Sequence, residues 1–278
     1  MRYSSTALLL LSLSLMACSS GKETEPDPIP AKDGFRLVWN DEFDGTSIDG
    51  TAWNWEVHGR PANNELQYYT RAEKNSRIED GVLVLEAHKE VYTGPDATRN
   101  YTSARINTSG KKDFKYGRFE IRARMPVGKG MWPAVWMMPT DSRYGGWPRS
   151  GEIDIMEYLG NDLRTTYGTL HYTRTGTNEH AYSGQSYRLP EGTFSADFHI
   201  FALEWEAGEM RWYVDGLQIA RQNAWHTMGA PFPAPFDQRF HMILNLAVGG
   251  DWPGSPDAST PFPGRMEVDY VRVFERIE

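Results

Sequence analysis

The 278-residue chain has a single cysteine, Cys18, so no disulfide can form within it and its stability has to come from packing. Basic residues are in the minority. With 29 Lys and Arg against 37 Asp and Glu, the formal charge is −8, which argues against nucleic acid and anionic membrane surfaces as partners, because both select basic patches. The apolar run from Ala7 to Met16 is too short to span a membrane. Long segments of helical periodicity are hard to find, and there is no repeat of fixed period. His and Cys do not cluster, so a metal centre for hydrolysis is not indicated and no catalytic cofactor is expected.

Aromatic and turn-forming residues are plentiful: 10 Trp, 14 Tyr and 12 Phe, with Asp-Gly or Gly-rich turn signals at short intervals. Together with 40% apolar content this predicts one large, all-β domain. A neutral polymer suits such a surface, since ring faces and hydrogen-bonding side chains would do the binding. The domain is expected to act as a monomer.

Residues 1–17 begin with Arg2, continue through the serine-interrupted apolar run and end at Ala17, the layout of a secretory signal. Leu15-Met16-Ala17-Cys18 resembles a bacterial lipobox, which implies lipidation of Cys18 and contact with a membrane only through the acyl chains. The alternative is an ordinary signal cut nearby. Residues 18–33, with Pro26, Pro28 and Pro30, have the composition of an extended tether, and the domain is expected over 34–278. The expected location is the outer membrane or cell surface of a Gram-negative bacterium, with secretion as the alternative.

Gly151-Glu152-Ile153-Asp154-Ile155-Met156-Glu157-Tyr158 packs three carboxylates among strand-forming residues. On a strand, Glu152 and Asp154 share a face and strict alternation throws Glu157 to the other. A β-bulge at Ile155-Met156, with Met156 making the room, returns Glu157 to the acidic face. The other reading is a solvated acidic edge strand. Just upstream, Trp132 and Trp136 stand four apart in Trp132-Pro133-Ala134-Val135-Trp136 and share a face if that stretch is a strand. Two indoles beside a row of carboxylates would make a floor for a sugar chain, although either alone reads as core.

Further strands are expected at Phe35–Trp39, in a hairpin around Asp80-Gly81, and at Ser103–Asn107. Tyr116–Met125, Thr165–Thr173, a meander over Phe198–Arg221, Phe240–Val248 and Met266–Phe274 complete the series. The alternation of Arg118, Glu120, Arg122 and Arg124 predicts one wet and one packed face. Taken by residue type, Glu42 reads as a turn acid, Asn63 as a turn or sugar-binding amide, Arg105 as a buried ion-pair partner and His171 as a structural histidine.

Glu152-Ile153-Asp154-Ile155-Met156-Glu157 resembles the E-x-D-x-x-E signature of glycoside hydrolase family 16. Asn63–Thr70, Trp132–Pro139, Phe198–Gly216 and Phe236–Phe274 resemble its laminarinase branch, the endo-β-1,3-glucanases. The resemblance implies a β-jelly-roll sandwich of two curved antiparallel sheets with the cleft on the concave face. It also implies hydrolysis of β-1,3-glucan or mixed-linkage β-1,3-1,4-glucan by double displacement. In that scheme Glu152 is the nucleophile, Glu157 the general acid/base and Asp154 the group coupling them. Trp132, Trp136, Asn63, Arg105, His171 and Trp252 are implied as substrate ligands. A structural calcium is implied on the convex face at Glu42, Gly81 and Asp269. A relative acting on marine galactans such as agar, porphyran or carrageenan, a transglycosylase, and a non-catalytic β-glucan recognition protein are the alternatives.

Overall fold

The computed structural model describes Met1, Ile29, Pro30 and residues 32–277. Residues 2–28, which hold Cys18 and the rest of the leader, lie outside the described residues, as do Ala31 and Glu278. Contacts gather Lys32–Glu278 into one compact unit. Lys32 already belongs to it, pairing with Glu120.

Among the described residues there is no helix. The strands are β1 Phe35–Asp41, β2 Asn54–Trp55, β3 Gln67–Tyr69, β4 Ser76–Glu79, β5 Val82–Thr93 and β6 Thr98–Ser103. Next come β7 Arg105–Asn107, β8 Gly117–Arg124, β9 Met131–Pro139, β10 Glu152–Tyr158, β11 Thr165–Thr173 and β12 His180–Arg188. The last are β13 His199–Glu206, β14 Glu209–Val214, β15 Leu217–Gln222, β16 Phe240–Val248 and β17 Gly264–Arg276.

They form two sheets. One runs β15-β14-β13-β8-β17-β5-β6-β3, with β1 on β17 and β4 on β5; the other runs β12-β11-β10-β9-β16-β7-β2. Every strand pairing is antiparallel except β3 with β6, so the expected jelly-roll sandwich is what the chain builds.

Period-two patterning explains how the sheets stack. On β10 the side chains of Ile153, Ile155, Met156 and Tyr158 are buried in the core, where they meet Leu203, Trp205 and Trp212 from the facing sheet. Burying side chains of this size contributes about 1.5–3 kcal/mol each, enough to fix which face of β10 turns inward.

The outer face of β8 differs from the expected wet face at Arg118 and Glu120, while Arg122 and Arg124 stay partly exposed. Arg118 and Glu120 are 6% and 4% exposed, because Arg118 bridges Glu120 at 2.7 Å and Glu204 of β13 at 2.8 Å. Cross-strand ion pairs cover one another there, so charge alternation did not mean solvent.

Candidate active site

The acidic strand is bulged at the expected place. Against β9, Asp154 faces Trp136 and Met156 faces Val135, which leaves Ile155 without a partner. Against β11, Asp154 faces Thr169 and Glu157 faces Tyr167, so Ile155 and Met156 together oppose Gly168. The residue made extra on the β9 side is therefore Ile155 and not Met156. The reason lies in the core: both side chains are buried there, and Met156 resumes the register. Glu157 is returned to the face of Glu152 and Asp154, and all three line one cavity of about 790 Å³.

The bulge is braced from the opposite sheet. Trp212 donates its Nε1–H to the main-chain carbonyl of Asp154 at 2.9 Å. Gly168 makes room for that indole, since a Cβ there would lie 2.6 Å from Trp212 Nε1.

Proximity and burial set the electrostatics. Desolvation and the Asp154 charge push Glu152 up to about 8. Desolvation raises Asp154 to about 7, tempered by a hydrogen bond with Glu152. Glu157 is held well above the usual carboxylate range by desolvation and by both acidic neighbours. Near neutral pH the trio therefore retains at least one proton. Ionisation of the two glutamates is favoured by His171, whose Nε2 stands 3.1 Å from Asp154 Oδ2, and by two indoles: Trp147 gives its Nε1–H to Glu152 at 2.6 Å and Trp132 gives its own to Glu157 at 3.1 Å.

Around this floor the structure gathers Asn63, Arg105, Trp132, Trp136, His171 and Trp252 along the same cavity. Trp132 meets Trp252 edge-on at 5.7 Å. Trp136 is fixed by donating to Asn245 Oδ1 at 2.7 Å. Arg105 is largely committed to the protein, 3.4 Å from Glu56, 3.7 Å from Glu65 and bonded to Tyr69 at 3.2 Å. That matches its reading by residue type.

Sequence reasoning missed Trp147, His180 and Tyr182, which also line the cavity. Trp147 sits in the Gly- and Pro-containing loop before β10, and its five-residue spacing from Glu152 was the available signal. His180 and Tyr182 lie on β12, whose polar sequence carries no apolar alternation.

The implied calcium donors stand elsewhere. Arg272 binds both oxygens of the Glu42 carboxylate at 2.9 and 2.7 Å, and Arg122 holds Asp269 at 2.6 Å. Both carboxylates of the implied set are therefore paired with arginines, so a calcium there would have to displace at least one of them. Carboxylate and carbonyl oxygens are the donor type that calcium takes.

The sequence model of "Glycosyl hydrolases family 16" matches residues 63–272. A "Beta-glucanase" of Rhodothermus marinus is 43% identical over 282 residues, covering 95% of this chain and 92% of its own. The "Glucan endo-1,3-beta-glucosidase A1" of Niallia circulans is 42% identical over 266 residues, 88% of this chain; this chain spans only 39% of that protein's length. Among solved structures, the laminarinase catalytic domain of Thermotoga maritima superposes with a TM-score of 0.79 at 45% identity, over 88% of this chain and 100% of that one.

Proposed function

The chain belongs to glycoside hydrolase family 16, and from that premise we propose that its cleft hydrolyses β-1,3-glucan internally, with mixed-linkage β-1,3-1,4-glucan as a second substrate. The reading is carried by one observation: Glu152, Asp154 and Glu157 emerge on a single face of a bulged strand, beneath indoles that can stack on pyranose rings.

Glu152 acts as the nucleophile. Its ionised form is favoured by the Trp147 N–H and by His171. Glu157, pushed well above the ordinary carboxylate value by burial and two acidic neighbours, keeps the proton that the glycosidic oxygen needs. Attack by the Glu152 carboxylate on the anomeric carbon breaks the glycosidic bond as Glu157 protonates the departing oxygen. Glu157 then takes a proton from water, which attacks the glycosyl-enzyme and restores the original anomeric configuration. Asp154 couples the two glutamates by holding the proton balance between them.

Trp132, Trp136 and Trp252 are proposed to stack on successive sugars, with Asn63 and His171 binding hydroxyls. Arg105 would act by orienting Glu65 and Tyr69. A calcium on the face away from the cleft, lipidation of Cys18 and display on the cell surface are further proposals, motivated by the donor set described above and by the lipobox-like sequence.

Incubation with laminarin, mixed-linkage glucan, xyloglucan and agarose, followed by sizing of the products, tests the substrate. Short laminarioligosaccharides from laminarin are expected, and release from agarose alone would overturn the reading. NMR of the first-formed products tests the mechanism, with net retention expected and inversion excluding it.

A further inference from the structure

Both ring nitrogens of His171 are engaged. Nδ1 lies 2.8 Å from Nε2 of His180, and Nε2 lies 3.1 Å from Asp154 Oδ2. Two nitrogens that close share a single hydrogen, so with Nδ1–H given to His180, Nε2 meets Asp154 with either a second hydrogen or a lone pair. Asp154 is 2% exposed, and its Oδ2 makes no hydrogen bond. A buried acceptor facing an imidazole nitrogen is a place where a cation is favourable, whether that cation is a proton or a metal ion.

Glu152 completes the set, because ligand atoms of Glu152, Asp154 and His171 all lie within 4.8 Å of one another. We propose that these three side chains form a binding site for a divalent transition metal such as Zn2+, and that the bound ion reversibly blocks the cleft.

The donor set selects the metal. One imidazole nitrogen with two carboxylate oxygens suits zinc or copper, whereas calcium and magnesium favour all-oxygen shells. Zinc bonds of about 2.0–2.2 Å put neighbouring ligand atoms roughly 3.3–3.5 Å apart, so the trio closes by about 1.5 Å at most, within reach of side-chain rotation. His180 supplies what a ligating histidine needs behind it, an acceptor on the far nitrogen that fixes the ring and leaves Nε2 to the metal. The stacked rings, 5.1 Å apart, hold that alignment.

Blockage rests on the proposed role of Glu152 as nucleophile, while binding of the ion does not. Calorimetric titration of the purified protein with zinc chloride therefore tests the site independently of hydrolysis. One ion per chain is expected, bound about tenfold or more weakly by Asp154→Asn and several-fold more weakly by His180→Phe, each checked for folding by circular dichroism. In laminarin hydrolysis, zinc should raise the apparent KM at unchanged kcat.

Anomalous scattering from wild-type crystals soaked in zinc needs no variant. The peak should fall among Glu152, Asp154 and His171. His88 with Glu86 at 2.8 Å, His58 with Glu56 at 3.5 Å and His199 with Asp215 at 2.7 Å are the two-ligand competitors. A peak only at those pairs, no saturable binding, or undiminished affinity in Asp154→Asn would each overturn the proposal.

Discussion

Trp212, on one sheet of the sandwich, donates its indole N–H at 2.9 Å to the main-chain carbonyl of Asp154 on the other. The carbonyl belongs to the residue at which the bulge begins, so a core side chain fixes the geometry of the acidic strand from behind. Trp212→Phe keeps most of the volume and removes the bond, at a cost of about 1–2 kcal/mol. Gly168→Ala drives a methyl group into the same indole and should cost about 1–3 kcal/mol. In both variants kcat should fall as well, about tenfold, because the carboxylates lose their common face. Urea denaturation alongside laminarin kinetics checks this; a stability loss with unchanged kcat would mean that the brace serves the core alone.

The bulge was legible in the sequence because Glu157 breaks a period of two that Glu152 and Asp154 establish, and only an extra residue restores it. Trp132 and Trp136 were legible for the same reason, being four apart on one strand. His180 was not. β12 is an edge strand with both faces largely open, so no buried set of side chains imposes a pattern on it. Arg118 and Glu120 misled for the opposite reason: their partner Glu204 lies 86 residues from Arg118 in sequence, and local alternation cannot show that such a partner will bury them. The identity of the unpaired bulge residue, Ile155, depends on its register with Val135 and Trp136, which is a property of two strands together.

Clustering raised-pKa carboxylates lowers stability in a pH window that can be worked out. In the unfolded chain these groups ionise near 4, whereas folding raises Asp154 to about 7 and Glu152 to about 8. The native state therefore binds more protons between those values, and stability falls as pH rises through the window. Glu152→Gln and Glu157→Gln remove a charge from the cluster. Each should gain about 1–2 kcal/mol at pH 7.5–8, a rise in Tm of about 3–6 °C, and nothing near pH 4. Scanning calorimetry at both pH values checks the sign. A variant less stable than wild type at pH 8 would show that the cluster is not strained by its charge.

Calcium gives a second stability test, on the other face of the molecule. If Asp269 leaves Arg122 to ligate an ion with the Gly81 carbonyl and Glu42, chelation should lower Tm by several degrees and Asp269→Ala should abolish the difference. The expected comparison is calorimetry in excess calcium against excess chelator, for wild type and variant. Equal Tm values in wild type would leave Arg122 and Arg272 as the permanent partners of these carboxylates.

Trp132 combines two functions that substitution can separate. Its ring lines the cleft, and its N–H donates to Glu157 Oε1 at 3.1 Å, which favours the ionised form of that acid. Trp132→Phe keeps a stacking face and deletes the donor. Glu157 then holds its proton more tightly, so the alkaline limb of kcat/KM, where the acid form is lost, should move to higher pH. KM for laminarin should change little while kcat drops about tenfold, since a less acidic Glu157 protonates the leaving oxygen less readily. Trp252→Ala removes a ring that meets Trp132 edge-on and bonds neither glutamate. It should raise KM several-fold and leave the limb in place. A pH–rate profile of both variants distinguishes them, and an unmoved limb in Trp132→Phe would show that the indole N–H does not tune the acid.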